Sequence, residues 1–339
     1  MNFPTLKRIV LFGALIVLMS RCGPDAPHDN PLDPLNPSAN FSIGGRVFNF
    51  YPPFNGLPNV QVVLLPLNRQ TTTGPSGEFI FANIRRGQFQ LIGTAPGYRA
   101  DTLTLTLKQD TTVVLHLDAL PRLDSIRITS HRVGRFFPPE DLLYVQFAAV
   151  GADPDGASDI TRIQFLLPDL SVTDTLTPLQ IVNATQVKGA VRKTASELNL
   201  TSIENLVGKA VYFSIGDKPG ARVTSPPHYL FRVIPRIPTV VSPSALTSIP
   251  ADSARILFRW EPISFPFAFT FTVELYRLDL GIGTLVNSVT NISADTTEIY
   301  LPNPGTAGDY FWVVYVVDEF GNSSRSREGA FRITTTTGG

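Results

Sequence analysis

The chain has 339 residues, which is enough for two or three domains, and its 28 basic residues balance its 28 acidic ones. This balance excludes the strongly basic surface that binds nucleic acid, so no nucleic-acid partner is expected. Frequent proline (29) and glycine (25) residues indicate many short segments separated by turns. Together with strand-forming Val, Thr and Phe, they predict an all-β protein.

The first 21 residues predict a signal peptide. Lys7 and Arg8 carry positive charge, and the uncharged apolar segment 9–19 follows them. This segment is shorter than the roughly 20 residues that a transmembrane helix needs, and its length is typical of a secretion signal. Cys22, the only cysteine of the chain, follows this segment after Ser20 and Arg21.

The segment around Cys22 resembles the lipobox of bacterial lipoproteins. Met19 and Ser20 agree with that pattern, whereas Arg21 replaces the small residue that the family has there. The resemblance implies a diacylglyceryl group on Cys22, a membrane partner held through the lipid, and a place in the bacterial cell envelope, at the outer membrane. Cleavage by the ordinary signal peptidase and an uncleaved N-terminal anchor are the alternatives.

Residues 22–40 predict a flexible tether. They contain prolines at positions 24, 27, 31, 34 and 37 and have no apolar periodicity. Such a segment cannot bury enough apolar surface to fold by itself. We expect three β-sandwich domains in series after it.

The first of these domains covers residues 41–119. Polar and apolar residues alternate within it, for example over 102–107, as in strands with one buried face. It resembles the carboxypeptidase-regulatory-like (transthyretin-like) family, which implies a non-catalytic sandwich of seven strands. The matching motifs are Gly45-Arg46-Val47, Leu57-Pro58-Asn59-Val60, Gly77-Glu78-Phe79-Ile80-Phe81, Asn83-Ile84 with Gly87, and Ala95-Pro96-Gly97-Tyr98.

The second domain covers residues 120–235 and is predicted to be an Ig-like or cadherin-like sandwich. Its sequence Asp153-Pro154-Asp155-Gly156 resembles the acidic turn of such domains. Asp153, Asp155 and Asp159 carry oxygen ligands of the kind that Ca²⁺ prefers. We favour a plain turn here, because Asp-Pro-Asp-Gly is ideal turn chemistry. Apart from this calcium option, no cofactor is expected.

The third domain covers residues 236–335 and resembles a fibronectin type III sandwich. Residues 256–262 look like the strand that carries the buried tryptophan of that family, here Trp260. Residues 310–318 resemble its Tyr-x-Trp-x-Val strand. A chain with a single cysteine cannot form an internal disulfide, which agrees with a fibronectin-like domain.

The sequence contains no motif of a nucleophilic, metal-dependent or phosphate-binding enzyme. Phe50, Tyr51 and Phe54, in the segment FNFYPPFNG, are candidates for binding a ligand at a loop, although ordinary packing is the commoner role of aromatic rings. We expect a non-catalytic lipoprotein that binds or spaces a carbohydrate, a peptide or an envelope protein. The alternative is an accessory subunit or an undetected hydrolase of an extracellular polymer-degrading system.

Overall fold

A computed structural model describes residue 36 and residues 39–335. The predicted signal peptide and Cys22 lie outside the described residues. At the end of the predicted tether, Ala39 is buried and its N–H donates to the carbonyl of Asn36 at 3.1 Å. The all-β expectation is confirmed, and the chain divides after Ala119 into two compact units. In the part of the chain that the structure describes, no helix has the length and apolar content that crossing a membrane requires.

The first unit consists of two four-stranded sheets, in the orders β4-β1-β8-β6 and β3-β2-β5-β7. Its strands are β1 (Phe41–Asn49), β2 (Gln61–Leu65), β3 (Arg69–Thr72), β4 (Glu78–Ile84), β5 (Gly87–Thr94), β6 (Tyr98–Arg99), β7 (Asp101–Leu107) and β8 (Thr111–Ala119). The seven strands that the family resemblance implied become eight here. The shortest of the eight is β6, where the positive φ of Gly97 lets Tyr98 pair with Ala119.

The core of the first unit follows from the period of two in its strands. In β4, Phe79 and Phe81 are buried, whereas Ile80 between them is 63% exposed. Gly45 of β1 lies against this core, and an added Cβ would come within 2.6 Å of the Phe79 ring. Glycine at this position therefore leaves room for the Phe79 ring of the neighbouring strand in the same sheet, since Gly45 and Phe79 are paired across β1 and β4.

The second unit begins with a sandwich of two sheets, β13-β14-β10-β9 and β12-β11-β15-β16. The strands are β9 (Arg122–Val133), β10 (Leu142–Ala152), β11 (Ile160–Leu167), β12 (Val172–Thr175), β13 (Gln180–Ile181), β14 (Gln186–Thr194), β15 (Tyr212–Asp217) and β16 (Arg222–Thr224). Short 3₁₀ helices lie at Ala157–Asp159, Pro168–Leu170, Ser196–Leu198 and Ile203–Leu206. Phe147 and Phe165 stack across the two sheets with centroids 4.0 Å apart.

A second sandwich follows in the same unit. Its strands are β17 (Val240–Ser242), β18 (Thr247–Pro250), β19 (Arg255–Trp260), β20 (Phe269–Asp279), β21 (Ile282–Ser293), β22 (Glu298–Pro302), β23 (Gly308–Asp318), β24 (Ser323–Arg325) and β25 (Gly329–Thr334). Trp260 and Trp312 are buried in its core. The hydroxyl of Tyr310 donates to the carbonyl of Thr306 at 2.9 Å, which is the tyrosine corner of Ig-like and fibronectin-like sandwiches.

One sheet runs through both sandwiches of the second unit. Its order is β13-β14-β10-β9-β24-β23-β20-β21, and β25 and β18 complete its ten strands. The joint is a parallel pairing of β9 with β24, in which Ser323 lies opposite His131. Residues 120–235 and 236–335 therefore share backbone hydrogen bonds within one compact unit, and the predicted boundary between them stays a prediction.

Candidate functional site

Three aspartates meet at one end of the first sandwich of the second unit. Asp153 directly follows β10, Asp159 ends the 3₁₀ helix Ala157–Asp159, and Asp217 is the last residue of β15. The pairing of Ile160 with Asp217 brings the second and third of these carboxylates side by side. One carboxylate oxygen from each residue lies within 4.8 Å of the others. We call these three residues the aspartate cluster.

The chain around Asp153 forms a tight turn, as the Asp-Pro-Asp-Gly sequence favours. Gly156 donates its N–H to the carbonyl of Asp153 at 3.1 Å, and its φ of 126° requires glycine. The N–H of Asp155 donates to Asp153 Oδ1 at 2.9 Å. These bonds fix the orientation of the Asp153 carboxylate.

The aspartate cluster is almost completely removed from solvent. Asp153 is 0% exposed, Asp159 2% and Asp217 6%. Asp217 Oδ1 accepts hydrogen bonds from the N–H groups of Gly220 and Ala221 at 2.8 and 2.6 Å. The second oxygens, Oδ2 of Asp153 and of Asp217, are buried and have no hydrogen-bond partner among residues 39–335 or residue 36.

Burial and mutual repulsion dominate the electrostatics of the cluster. Burial raises the pKa of Asp153 to about 6 against the hydrogen bond from Asp155, and the carboxylates of Asp159, Asp155 and Asp217 raise it further. Burial also raises the pKa of Asp217, although the N–H groups of Ala221 and Gly220 oppose this, and the charge of Asp159 adds to the increase. The charges acting on Asp153 are thus of its own sign.

The structure alters the set of acidic residues that the sequence placed together. Of the predicted Asp153, Asp155 and Asp159, it brings the first and third together and adds Asp217. Asp155 donates its backbone N–H to Asp153, and one oxygen of its own carboxylate lies within 4.8 Å of one from Asp159. Sequence reasoning missed Asp217 because only the pairing of β11 with β15 brings it near. The sequence feature that could have pointed to Asp217 is the turn sequence Asp-Lys-Pro-Gly, which begins with this residue.

The predicted aromatic candidates Phe50, Tyr51 and Phe54 lie in the loop after β1. The rings of Phe50 and Tyr51 meet edge to face at 5.1 Å, and Phe54 packs in the same way against His116 at 5.1 Å. Phe50 is 39% exposed and Phe54 is 51% exposed. The loop therefore combines packed and exposed ring surface.

A second group of exposed rings was not predicted. Tyr229, Phe231 and Phe320 are 38%, 61% and 41% exposed, and the last two stack with centroids 4.9 Å apart. They line a cleft together with Arg127 and His228, and we call it the ring cleft. It lies at the joint between the two sandwiches of the second unit, which brings together residues far apart in sequence.

His131 and Ser323 form the one histidine–serine contact of interest for catalysis in the described chain. Ser323 Oγ lies 2.7 Å from Nδ1 of the imidazole, and Thr129 Oγ1 lies 2.8 Å from Nε2. Burial, assisted by the positive charge of Arg192, lowers the pKa of His131 to about 4. A general base works best with a pKa near the working pH. The arrangement therefore argues for a structural histidine.

The fold defines an all-β protein made of β-sandwiches. Residues 42–118 match the model of the carboxypeptidase regulatory-like domain family. This confirms the resemblance drawn from the motifs of that segment. A search among curated proteins finds no match.

Three solved structures with some likeness to this chain share 9–12% identity with it. BcpA, the major pilin subunit of Bacillus cereus, has 9% identity, with 88% of this chain and 98% of BcpA covered and a TM-score of 0.30. The fibronectin(III)-like modules of Clostridium thermocellum CbhA have 12% identity, with 64% of this chain and 94% of the modules covered and a TM-score of 0.30. The FN1–FN3 domains of chicken CNTN1 have 10% identity, with 83% of this chain and 92% of those domains covered and a TM-score of 0.31. Scores this low carry no argument about function.

Proposed function

We propose that this protein is a non-catalytic lipoprotein of the bacterial cell envelope that binds a polysaccharide through the ring cleft. The observation that carries the proposal is the cleft itself, in which exposed rings and polar side chains lie side by side. In this proposal a lipid on Cys22 anchors the protein to the outer membrane.

The chemistry of the ring cleft suits a sugar. The apolar C–H face of a pyranose ring packs against an aromatic face such as that of Phe231, and exposed rings of this kind mark binding surfaces. Sugar hydroxyls need hydrogen-bond partners at the same time. Arg127 and His228 provide them at the edge of the cleft.

The joint that carries the cleft is held by several kinds of contact. Arg232 contacts Asp318 and Glu319 at 3.2 and 3.1 Å, and its guanidinium lies 4.0 Å from the centroid of the Phe267 ring. The β9–β24 pairing adds backbone hydrogen bonds across the same joint. A surface whose residues are already in place loses less conformational entropy when a ligand binds.

Polysaccharide binding is tested with the full chain, extracted from host membranes in detergent. We expect retention in affinity electrophoresis gels that contain envelope or plant polysaccharides. The double variant F231A/F320A should weaken retention at least tenfold, because the stacking surface is lost. Y300A, which removes a 59% exposed ring outside the cleft, is the matched control and should bind as the unmodified chain does.

The same gels distinguish the rival sites and partners. If Y51A/F54A abolishes retention and F231A/F320A does not, the loop after β1 is the binding surface and the ring cleft is not. If no polysaccharide retards the protein but an envelope protein co-purifies with it, the partner is that protein. Turnover of any polysaccharide that disappears in S323A would contradict the non-catalytic assignment.

The anchor has its own test. Mass spectrometry of the mature N-terminal peptide should find a diacylglyceryl group on Cys22. An intact Met1, or an N-terminus created by cleavage elsewhere, would contradict the lipoprotein proposal and leave polysaccharide binding to be judged separately.

A further inference from the structure

We propose that the aspartate cluster, Asp153, Asp159 and Asp217, is a binding site for a divalent cation, and that this cation is Ca²⁺. The inference does not depend on polysaccharide binding. It rests on the geometry, burial and hydrogen bonding of the three carboxylates.

The spacing of the carboxylates is that of ligands around a single ion. Calcium–oxygen distances are about 2.3–2.6 Å, so two oxygens on the same ion are at most about 5 Å apart. One oxygen from each aspartate lies within 4.8 Å of the others. An ion placed among them would therefore contact all three carboxylates.

The second observation concerns individual oxygen atoms. Asp153 is 0% exposed, and its Oδ2 has no hydrogen-bond partner in the described chain. Oδ2 of Asp217 is in the same situation. A buried carboxylate oxygen without a partner is costly, and a cation supplies the missing partner for both atoms at once.

The other oxygens of Asp153 and Asp217 accept hydrogen bonds from backbone N–H groups, as metal-binding carboxylates in proteins usually do. Oδ1 of Asp153 accepts the N–H of Asp155, and Oδ1 of Asp217 accepts the N–H groups of Gly220 and Ala221. These bonds hold each carboxylate so that its other oxygen is left for a metal. Fixed ligand orientation of this kind raises metal affinity.

The donor set selects calcium among the common divalent ions. All three side chains offer oxygen, which suits calcium and magnesium and does not favour zinc or copper. Magnesium usually keeps several of its waters, and a cluster that is at most 6% exposed leaves little room for them. Calcium accepts an irregular all-protein oxygen shell.

A cation in this position would connect the two sheets of the sandwich. Asp153 follows β10, which belongs to the ten-stranded sheet, whereas Asp217 ends β15 in the opposite sheet. Calcium binding should therefore stabilise the second unit, since an ion that binds only the folded state shifts the unfolding equilibrium.

The test uses the full chain after removal of metals with a chelator. Isothermal titration calorimetry with CaCl₂ should show one bound ion per chain. Calcium at a hundredfold excess over its Kd should raise the Tm of the second unit by about 5–10 °C, followed by tryptophan fluorescence. D217N should lose this response, whereas D309N, which alters an aspartate whose side chain is 41% exposed, should retain it.

Each outcome decides the assignment. Absence of calcium binding by the unmodified chain at millimolar concentration would overturn the proposal, whether or not any variant folds. Calcium binding that persists unchanged in a folded D217N would overturn the assigned ligand set. Binding of magnesium alone would overturn the choice of ion. If D217N does not fold, loss of the response in D153N supports the assignment and its persistence overturns it.

Discussion

The side-chain carbonyl of Asn322 accepts a hydrogen bond from the backbone N–H of Ser130 at 2.8 Å, across 192 positions of the sequence. The same oxygen lies 3.2 Å from Ser130 Oγ, and the Asn322 amide donates to Asp318 Oδ2 at 2.9 Å. Both asparagine and serine are buried. One side chain thus satisfies polar groups in both sandwiches of the second unit.

Replacing Asn322 with alanine should destabilise the second unit. The Ser130 N–H would remain buried without an acceptor, which costs about 1–3 kcal/mol. Urea unfolding followed by tryptophan fluorescence measures the loss, because both tryptophans lie in this unit. N205A, which removes an exposed side-chain hydrogen bond to Thr201, is the control and should change the free energy of unfolding by less than about 0.5 kcal/mol. Equal effects of the two variants would contradict the role assigned to Asn322.

Replacing Arg232 with glutamine should destabilise the same joint. The side chain of Asp318 is 0% exposed and would lose its ion pair, and the cation–π contact with Phe267 would also be lost. We expect a cost of about 2 kcal/mol, and a smaller cost for R232K, which keeps the charge but not the flat guanidinium. R259Q is the matched control, because Arg259 and Glu298 are about half exposed and their pair should contribute less than about 1 kcal/mol. An R232Q loss no larger than that of R259Q would refute this account of the joint.

His131 predicts a pH dependence of stability. Burial, followed by the charge of Arg192, lowers its pKa in the folded chain from 6.5 to about 4. The unfolded chain therefore binds this proton more tightly, so the contribution of His131 to stability is fully present above pH 6.5 and is lost as the pH falls toward 4. The slope should approach about 1.4 kcal/mol per pH unit within this window.

The measurement for His131 is urea unfolding of the second unit between pH 4 and 7. H131Q should show a smaller slope, since the titrating group is gone. His131 is surrounded by Thr129, Ser323 and the Tyr144 ring, whose centroid lies 5.0 Å from that of the imidazole. An unchanged slope in H131Q would show that carboxylates alone cause the pH dependence.

Two neighbouring glycines of β1 provide a test in the first unit. A Cβ at Gly45 would lie 2.6 Å from both the Phe79 ring and the carbonyl oxygen of Val113, whereas the nearest atom to a Cβ at Gly44 is 3.9 Å away. G45A should therefore cost about 1–3 kcal/mol through overpacking, and G44A should be almost neutral. Hydrogen exchange of the peptide that contains β1, measured by mass spectrometry, compares the local stability of the two variants. Similar exchange rates in the two variants would rule out the steric explanation.

Much of the fold could be predicted from the sequence because its causes are local. Alternation with a period of two identified strands such as β4 and β7, since a strand with one buried face imposes that period. Turn residues separated them, and the motifs of residues 42–118 were sufficient for a family match. The burial of Trp260 was expected from the resemblance of residues 256–262 to the fibronectin strand that carries a buried tryptophan, and the structure confirms it.

The sites were only partly predictable, because they depend on strands that pair across long sequence separations. Asp153 and Asp159 are neighbours in sequence and were found together, whereas Asp217 joins them only through the pairing of β11 with β15. The ring cleft required the parallel pairing of β9 with β24, which the sequence does not mark. The sequence by itself determined which residues form strands and which faces are apolar. Strand order and register, which depend on how two whole faces pack, were decided only by the tertiary structure.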